Sequence, residues 1–349
     1  MEVYPLKKTL YTSGPVIREH RLYLPRTIEE ISELHIPISE TCETVWNNGP
    51  QNDSQAELAR CLKELGIAFC SMAKVHQSHV TVSTKGNDLD HVTNVDIGIE
   101  LLFRQWLSRF YPHHKVIGEE GEKSKLSEDD FIWYVDPIDG TTNYLNQKKE
   151  VTMHFGCVKD GKPYTSFVGK PIWDTFYWTD GKTVFEKDTP VPSKIAPPNT
   201  PLTIGTEYLW GRDEQKILYN QLSDRFDAKP YRARSIGYCI TETLLGNVDL
   251  FYKPAAKLWD VIAPICLIKV LRPDLLTELT YASTNHPLSK ENAMTEDTLS
   301  NSNKLINHLN LRHETSFRAG FVAIYPPRLT SIRDRIFDAL YPEFFETEP

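Results

Sequence analysis

Residues 131 to 142 read Phe131-Ile132-Trp133-Tyr134-Val135-Asp136-Pro137-Ile138-Asp139-Gly140-Thr141-Thr142, and the fold turns on how this stretch is read. Phe131 to Val135 form a compact β-prone run of the kind found in buried strands, ending at Asp136-Pro137. Proline stiffens the turn between the two aspartates, and Gly140 permits backbone geometry that a side chain would obstruct. Both carboxylates then face one cation site. Thr141 and Thr142 open a short helix whose free N–H groups and positive dipole end suit a phosphate. An isolated Asp-Gly is more often a turn, and the chain holds its own comparison: Asp160-Gly161 and Asp180-Gly181 stand between β-prone residues as hairpin turns should. A second acid ahead of the Asp-Gly and a Thr-Thr-Asn behind it exceed what a hairpin requires.

Working outward, Ala56, Leu58, Ala59, Leu62, Leu65, Ala68, Phe69 and Met72 recur at helical spacing after Asp53. Thr93 or Asn94 caps a second helix bearing Ile97, Leu101, Leu102, Trp106, Leu107 and Phe110, which stops near Tyr111-Pro112. A short strand at Lys115-Val116-Ile117-Gly118 then ends in Glu119-Glu120. Two carboxylate clusters thus sit beyond strand ends. Val151 to Glu186 reads as antiparallel strands, and the proline-rich stretch 186–201 as a linker. Beyond it come a strand at Leu202-Thr203-Ile204-Gly205, a helix around Asp213 to Asp224, and a helix opened by Arg234-Ser235-Ile236-Gly237. A strand at Val248 to Tyr252 and an apolar helix from Trp259-Asp260 to Leu271 follow, the latter ending before Pro273. The expected organisation is an extension (1–52), packed on the fold or used in an oligomer contact, an α+β domain (53–190) and an α/β domain (200–345). Such alternation points to layered α/β architecture.

The 349 residues, 40% hydrophobic and 25% charged, provide a sizeable core. No apolar run approaches the ~18 residues of a membrane span, and MEVYPLKKTLYTSG lacks the pattern of a secretory signal, so a cytoplasmic location and no membrane partner are expected. Six cysteines without a C-x-x-C pair read as reduced thiols. A net charge of −8 argues against a nucleic-acid polymer as partner. Other chemistries fail on spacing. Gly181-Lys182-Thr183 has Phe176 where a P-loop needs its first glycine, and His313-Glu314-Thr315-Ser316-Phe317 lacks the second histidine of a zinc protease. His76, His79, His113 and His114 are expected at the surface.

The run Asp136 to Tyr144, DPIDGTTNY, closely resembles the signature of the inositol monophosphatase family of lithium-sensitive, magnesium-dependent phosphatases. Matching pieces follow in order. Lys85 with Asp90-His91-Val92-Thr93-Asn94-Val95-Asp96 resembles the early motif, Val116 to Glu120 the glutamate motif, and Leu258-Trp259-Asp260 the late tryptophan-aspartate motif. The resemblance covers roughly residues 53 to 325 and implies the αβαβα sandwich of the sugar-phosphatase type. It implies that Glu119, Asp136 and the carbonyl of Ile138 bind one Mg2+, and Asp136, Asp139 and Asp260 a second, with two or three ions per site. Oxygen ligands suit such a hard cation, and ions ~3.5 to 4 Å apart clamp an in-line displacement. It also implies that Asp96 orients Thr141, that Thr141 together with the first metal positions and activates the attacking water, that Glu119 is catalytic as well as a metal ligand, and that the backbone of Gly140 and Thr141 holds phosphate. Taken singly, Glu119 would be a solvated loop acid and Asp96 or Asp260 a helix cap; only their joint order makes them a site.

The implied reaction is hydrolysis of a small phosphomonoester, an inositol monophosphate or sugar phosphate. Ser235 and Gly237 fall in the matching substrate-pocket region as candidates for leaving-group contacts. Seven residues before Asp260, inositol-specific members carry a glutamate that contacts sugar hydroxyls, and this chain has Lys253, which suits a second phosphate or a carboxylate. Ala263-Pro264 resembles the bisphosphate nucleotidase and inositol polyphosphate phosphatase branches, whereas Thr141-Thr142-Asn143-Tyr144 favours the monophosphatase branch. A 3'(2'),5'-bisphosphate nucleotidase or polyphosphorylated-sugar phosphatase is therefore the alternative, and a non-catalytic metal-binding scaffold the rival of another class. Leu271-Arg272-Pro273-Asp274 stands where a Gly-Gly commonly follows the late helix. The resemblance suggests a homodimer.

Overall fold

The structure, a computed structural model, describes residues 39–52, 54–78, 80, 82–84, 91–121, 131–160, 162–192, 201–206, 220, 228–253, 256–281 and 318–340. Lys85, Asp90, His79, residues 1–38, the motif at 313–317 and all but Asn220 of the helix expected at 213–224 lie outside these.

Three helices form the first layer: α1 (Glu40–Asn48), α2 (Gln55–His76) and α3 (Asn94–Phe110). Each begins where a hydroxyl accepts the unpaired N–H groups of its first turn: Ser39 for α1, Ser54 for α2 and Thr93 for α3. Leu58, Leu62, Leu65, Phe69 and Met72 of α2 are all buried, as their spacing demands. The end of the N-terminal extension packs here too, with the Trp106 indole donating to the carbonyl of Val45 at 2.9 Å.

Beneath them lies a seven-stranded sheet whose order follows the chain. Its strands are β3 (Lys115–Gly118), β4 (Phe131–Asp139), β5 (Thr152–Lys159), β6 (Lys162–Lys170), β7 (Thr175–Thr179), β8 (Val184–Glu186) and β9 (Thr189–Pro190). A separate ribbon pairs β1 (Val82–Thr84) with β2 (His91–Thr93). Only β3 and β4 of the large sheet are parallel. Trp133, Val135 and Phe155 pack on the three helices, while Ile132, Tyr134 and Val158 point the other way, as a period of two requires. β9 falls inside the stretch read as a linker and extends the sheet instead, and residues 193–200 are outside those described.

The opposite face meets two helices, α5 (Ile236–Leu244) and α6 (Leu258–Leu271), the short α4 (Thr141–Leu145) having followed β4. Behind them stands a second sheet of β10 (Leu202–Thr206), β11 (Ala228–Tyr231), β12 (Leu250–Lys253), β13 (Ala256–Lys257), β14 (Leu276–Tyr281) and β15 (Arg318–Tyr325). Its order is β11-β10-β12-β15-β13, with β14 also paired to β15. Phe251, Val322 and Ile324 face α5 and α6, whereas Leu250, Tyr252, Ala323 and Tyr325 face outward. That outer face is covered by Leu329 of the turn Pro327–Leu329 and Ile332 of α7 (Thr330–Leu340). The result is helix, sheet, helix, sheet, helix, the layered α/β sandwich expected. Gly156 of β5 sets the spacing of the inner layers, because a Cβ there would lie 2.8 Å from the Ala263 backbone of α6.

Three local expectations are corrected. β4 does not stop at Val135 but runs to Asp139. Asp136 pairs with His154 and Asp139 with Thr152, so three steps on β4 oppose two on β5; Pro137, which has no N–H to give the ladder, sits in this bulge. α6 starts at Leu258, which places Asp260 inside its first turn instead of at its cap. His114 is buried, not at the surface: it stacks between Tyr111 and Phe131, and its Nδ1 accepts the Trp133 indole N–H at 3.0 Å.

Candidate active site

The bulge at the end of β4 presents Asp136 and Asp139 side by side. β3 runs parallel to it, and the Glu119 N–H continues the ladder by donating to the carbonyl of Val135 at 3.1 Å, which brings Glu119 alongside. Asp260 arrives on the first turn of α6 and Asp96 on that of α3. Asp96, Asp136 and Asp139 are buried; Glu119 and Asp260 are half-buried at the rim.

Their charges act on one another. Burial pushes the Asp136 carboxyl well above its ordinary pKa, and the negative charges of Glu119, Asp139, Asp260 and Asp96 push it further. Asp260 is likewise raised by removal from solvent and by Asp139 and Glu119, against the pull of the Lys257 N–H and the Lys253 ammonium. Five carboxylates from four separated points of the chain therefore share one locality. Lys253, ending β12 and 9% exposed, lies close enough for its charge to reach Asp260. Among the described residues its side chain makes no hydrogen bond or ion pair.

Asp96, Asp136, Asp139 and Asp260 are also held by donors. Asp136 Oδ1 accepts the Ile138 N–H at 3.0 Å, the local turn that Asp favours. Asp139 Oδ2 accepts from Ser235 Oγ (2.7 Å), the Gly237 N–H (2.6 Å) and Thr152 Oγ1 (3.0 Å), and Oδ1 from the Ile236 N–H (3.3 Å). Ser235 and Gly237, read as leaving-group contacts, thus stand against Asp139, at the N-terminus of α5 where the helix dipole favours an anion. Asp260 Oδ2 accepts the Lys257 N–H at 3.1 Å. Asp96 takes both the N–H and hydroxyl of Thr93, while the Thr141 hydroxyl donates to the Ile138 carbonyl at 3.1 Å and not to Asp96.

Gly140 turns with φ +90°, and a Cβ there would come within 3.0 Å of Ser235 Cβ and 3.1 Å of the Glu150 carbonyl. This left-handed residue starts α4. Asn143 then donates to the carbonyls of Glu150 (2.7 Å) and Ala233 (2.6 Å), tying the loop to the segment that leads into α5.

Sequence reasoning missed two supports. Glu100 of α3, buried, accepts the N–H groups of Glu120 (2.9 Å) and Gly121 (2.8 Å) and pairs with Arg104, which anchors the loop carrying Glu119. In sequence it is an acid four residues before an arginine, a pattern shared with exposed helical pairs. His154, fully buried, has Nε2 3.0 Å from Thr152 Oγ1 and Nδ1 3.3 Å from the Trp259 carbonyl. Burial lowers its pKa, and Asp139 opposes that shift. Nothing in its neighbourhood in the chain announces this role.

Among the described residues no group of three or more His, Cys, Asp and Glu side chains converges as a metal cage; Asp139 and Asp260 are turned to their hydrogen-bond donors. The donor set nevertheless fits a hard divalent cation. It consists of carboxylates and the Ile138 carbonyl, and buried like charges that raise one another's proton affinity are relieved by a positive ion. Such an ion competes with the Ser235, Gly237 and Lys257 donors for the same oxygens.

Known proteins share this fold. The model of the inositol monophosphatase family matches residues 55–270. The inositol-1-monophosphatase of Bacillus subtilis strain 168 is 31% identical over 204 residues, 56% of this chain and 74% of that protein. Staphylococcal inositol monophosphatase-1, in a lithium chloride soaked inhibitory complex, superposes with a TM-score of 0.63 at 17% identity, covering 83% of this chain and 96% of that one. An IMPase/NADP phosphatase complexed with Mg2+ and phosphate gives 0.60 at 20% identity, with 80% and 96% covered. At these identities the structures speak for the fold, and the family match, which spans most of the chain together with its carboxylate-bearing turns, speaks for the chemistry: this chain belongs to the inositol monophosphatase family and is a phosphoric monoester hydrolase.

Proposed function

We propose that the chain hydrolyses the phosphomonoester of a small metabolite, an inositol monophosphate or sugar phosphate, in a magnesium-dependent reaction at Glu119, Asp136, Ile138, Asp139 and Asp260. The observation that carries this reading is the gathering of Asp96, Glu119, Asp136, Asp139 and Asp260 at one locality, where their charges raise the proton affinity of Asp136 and Asp260, a crowding for which a structural core has no use. When bound, Mg2+ supplies positive charge to the phosphoryl oxygens and lowers the pKa of water. The chain supplies the rest. Gly140 and Thr141 offer backbone N–H groups to the phosphate, and the Thr141 hydroxyl, held at the Ile138 carbonyl, orders the attacking water. Asp96 adds negative charge beneath, and Glu119, at the rim, is the acceptor for the proton the water gives up. No covalent nucleophile is needed, since phosphoryl transfer demands chiefly position and charge.

Lys253 favours a second reading of the substrate, a bisphosphorylated nucleotide or polyphosphorylated sugar. A nearly buried ammonium without an ion pair among the described residues gains most from a second anionic group. Phosphate release from inositol, sugar, nucleotide and bisphosphate esters, with Mg2+, without it and with added Li+, tests both readings. Release that requires Mg2+ and falls with Li+ is expected, and release unaffected by chelation would overturn the cation's role. Lys253→Gln is expected to raise KM selectively for doubly anionic esters; an equal effect on all esters removes the second reading.

A further inference from the structure

We propose that His154 is a positioning residue that eases the transfer of Asp139 from its hydrogen-bond donors to a cation, by giving the hydroxyl hydrogen of Thr152 an acceptor that is independent of Asp139 and of its other donor Ser235. The inference rests on the cation reading of the site above. His154 lies on β5 opposite Asp136, where β5, the N-terminus of α5 and the first turn of α6 meet. The fit is close: a Cβ on Gly237 would fall 1.9 Å from His154 Nε2, so only glycine at the start of α5 admits the ring.

Counting hydrogens assigns the roles. The Trp259 carbonyl only accepts, so the single N–H of a neutral imidazole is placed on Nδ1, facing it at 3.3 Å. Nε2 is then an acceptor, 3.0 Å from Thr152 Oγ1. Thr152 owns one hydroxyl hydrogen and has three acceptors within reach, His154 Nε2 at 3.0 Å, Asp139 Oδ2 at 3.0 Å and Ser235 Oγ at 3.1 Å, the last already accepting the Tyr238 N–H at 3.2 Å while its own hydrogen goes to Asp139 at 2.7 Å. With that hydrogen on Asp139, the carboxylate carries a donor that a cation must displace, and without the imidazole the displaced hydroxyl would have only Ser235 Oγ, which the same cation also robs of its carboxylate partner, so two buried hydroxyls would share one bond. With His154 present the hydroxyl rotates to Nε2 and stays satisfied. The same ring holds the peptide that precedes Asp260, so the device joins the elements carrying the two acids.

The test is a double-mutant cycle read by calorimetric titration of the full chain with Mn2+ and with Mg2+ alone. His154→Asn keeps a donor near Trp259 but removes the acceptor from Thr152, and is expected to weaken cation binding about tenfold, the scale of outer-partner losses at metal sites. The loss appears as a raised Mg2+ requirement, with kcat recovered at saturating Mg2+. Thr152→Val, which deletes the contested hydrogen, is expected to bind the cation as tightly as the parent or tighter. In that background His154→Asn adds no further loss. Parent-like binding by His154→Asn, or an undiminished loss in the Thr152→Val background, overturns the proposal. If His154→Asn does not fold, weaker binding by Thr152→Val alone overturns it. A parent chain that binds neither cation refutes the reading of the site itself.

Discussion

Asp260 separates charge from shape at the level of a single residue. Asparagine in its place keeps the size and the oxygen that accepts the Lys257 N–H, but removes a negative charge crowded by Asp139 and Glu119. Asp260→Asn is therefore expected to lower kcat/KM at least about 100-fold, the scale of losing several kcal/mol of charge stabilisation. The same change should leave the cation-free protein as heat-stable as the parent or more so, because a repulsion is gone. Near-normal turnover at saturating Mg2+ would defeat the assignment. Glu100 is the contrary case. Glu100→Ala strips an acceptor from two loop N–H groups and unpairs Arg104, at a cost of about 3 kcal/mol by analogy with broken buried pairs. Denaturant unfolding should show that loss together with weaker cation binding through Glu119. An unchanged midpoint would mean the loop is held by other contacts.

At the level of elements, β3 and β4 are bound to the helical layer by His114, whose neutral ring accepts the Trp133 indole N–H between two aromatic faces. Burial, with smaller contributions from His113 and Lys159, depresses its pKa to about 3. The sign of the linkage follows. Between about pH 6.5 and 3 the unfolded imidazole holds a proton that the folded one refuses, so stability falls as pH drops through that window. At pH 5 the loss is about 2 kcal/mol, set by the distance below the ordinary histidine value. His114→Gln should flatten the stability profile between pH 7 and 5 in urea titrations. An identical slope in the variant would assign the acid sensitivity elsewhere.

For the whole molecule the decisive element is α6, packed between two sheets and carrying Asp260 at its tip. Gly156→Ala drives a methyl group into the Ala263 backbone, and overpacking of this kind costs about 1 to 3 kcal/mol. A lower thermal midpoint is expected together with a fall in activity out of proportion to the unfolded fraction, because the displacement moves Asp260 relative to Asp139. A lower midpoint with unaltered kcat would show that α6 shifts without disturbing the site.

What could be read from the chain alone was local. The strand Phe131 to Val135, the cap at Thr93, the Asp-Gly hairpins and the paired acids of the Asp136 turn depend on neighbours within a few residues, where propensity, proline and hydrogen-bonding side chains act. The continuously apolar Val261 to Ile268 announced a buried helix. It did not say that two sheets would enclose it, since a helix apolar on every side is compatible with any surroundings that exclude water. Only the tertiary structure made His114 a core residue, put Glu100 under the Glu119 loop, aimed the Asp139 carboxylate at the start of α5 and set His154 between Thr152 and Trp259. In each case the partner or the burial comes from segments distant in sequence, and hydrogen bonding and desolvation are properties of what surrounds a side chain, not of its identity.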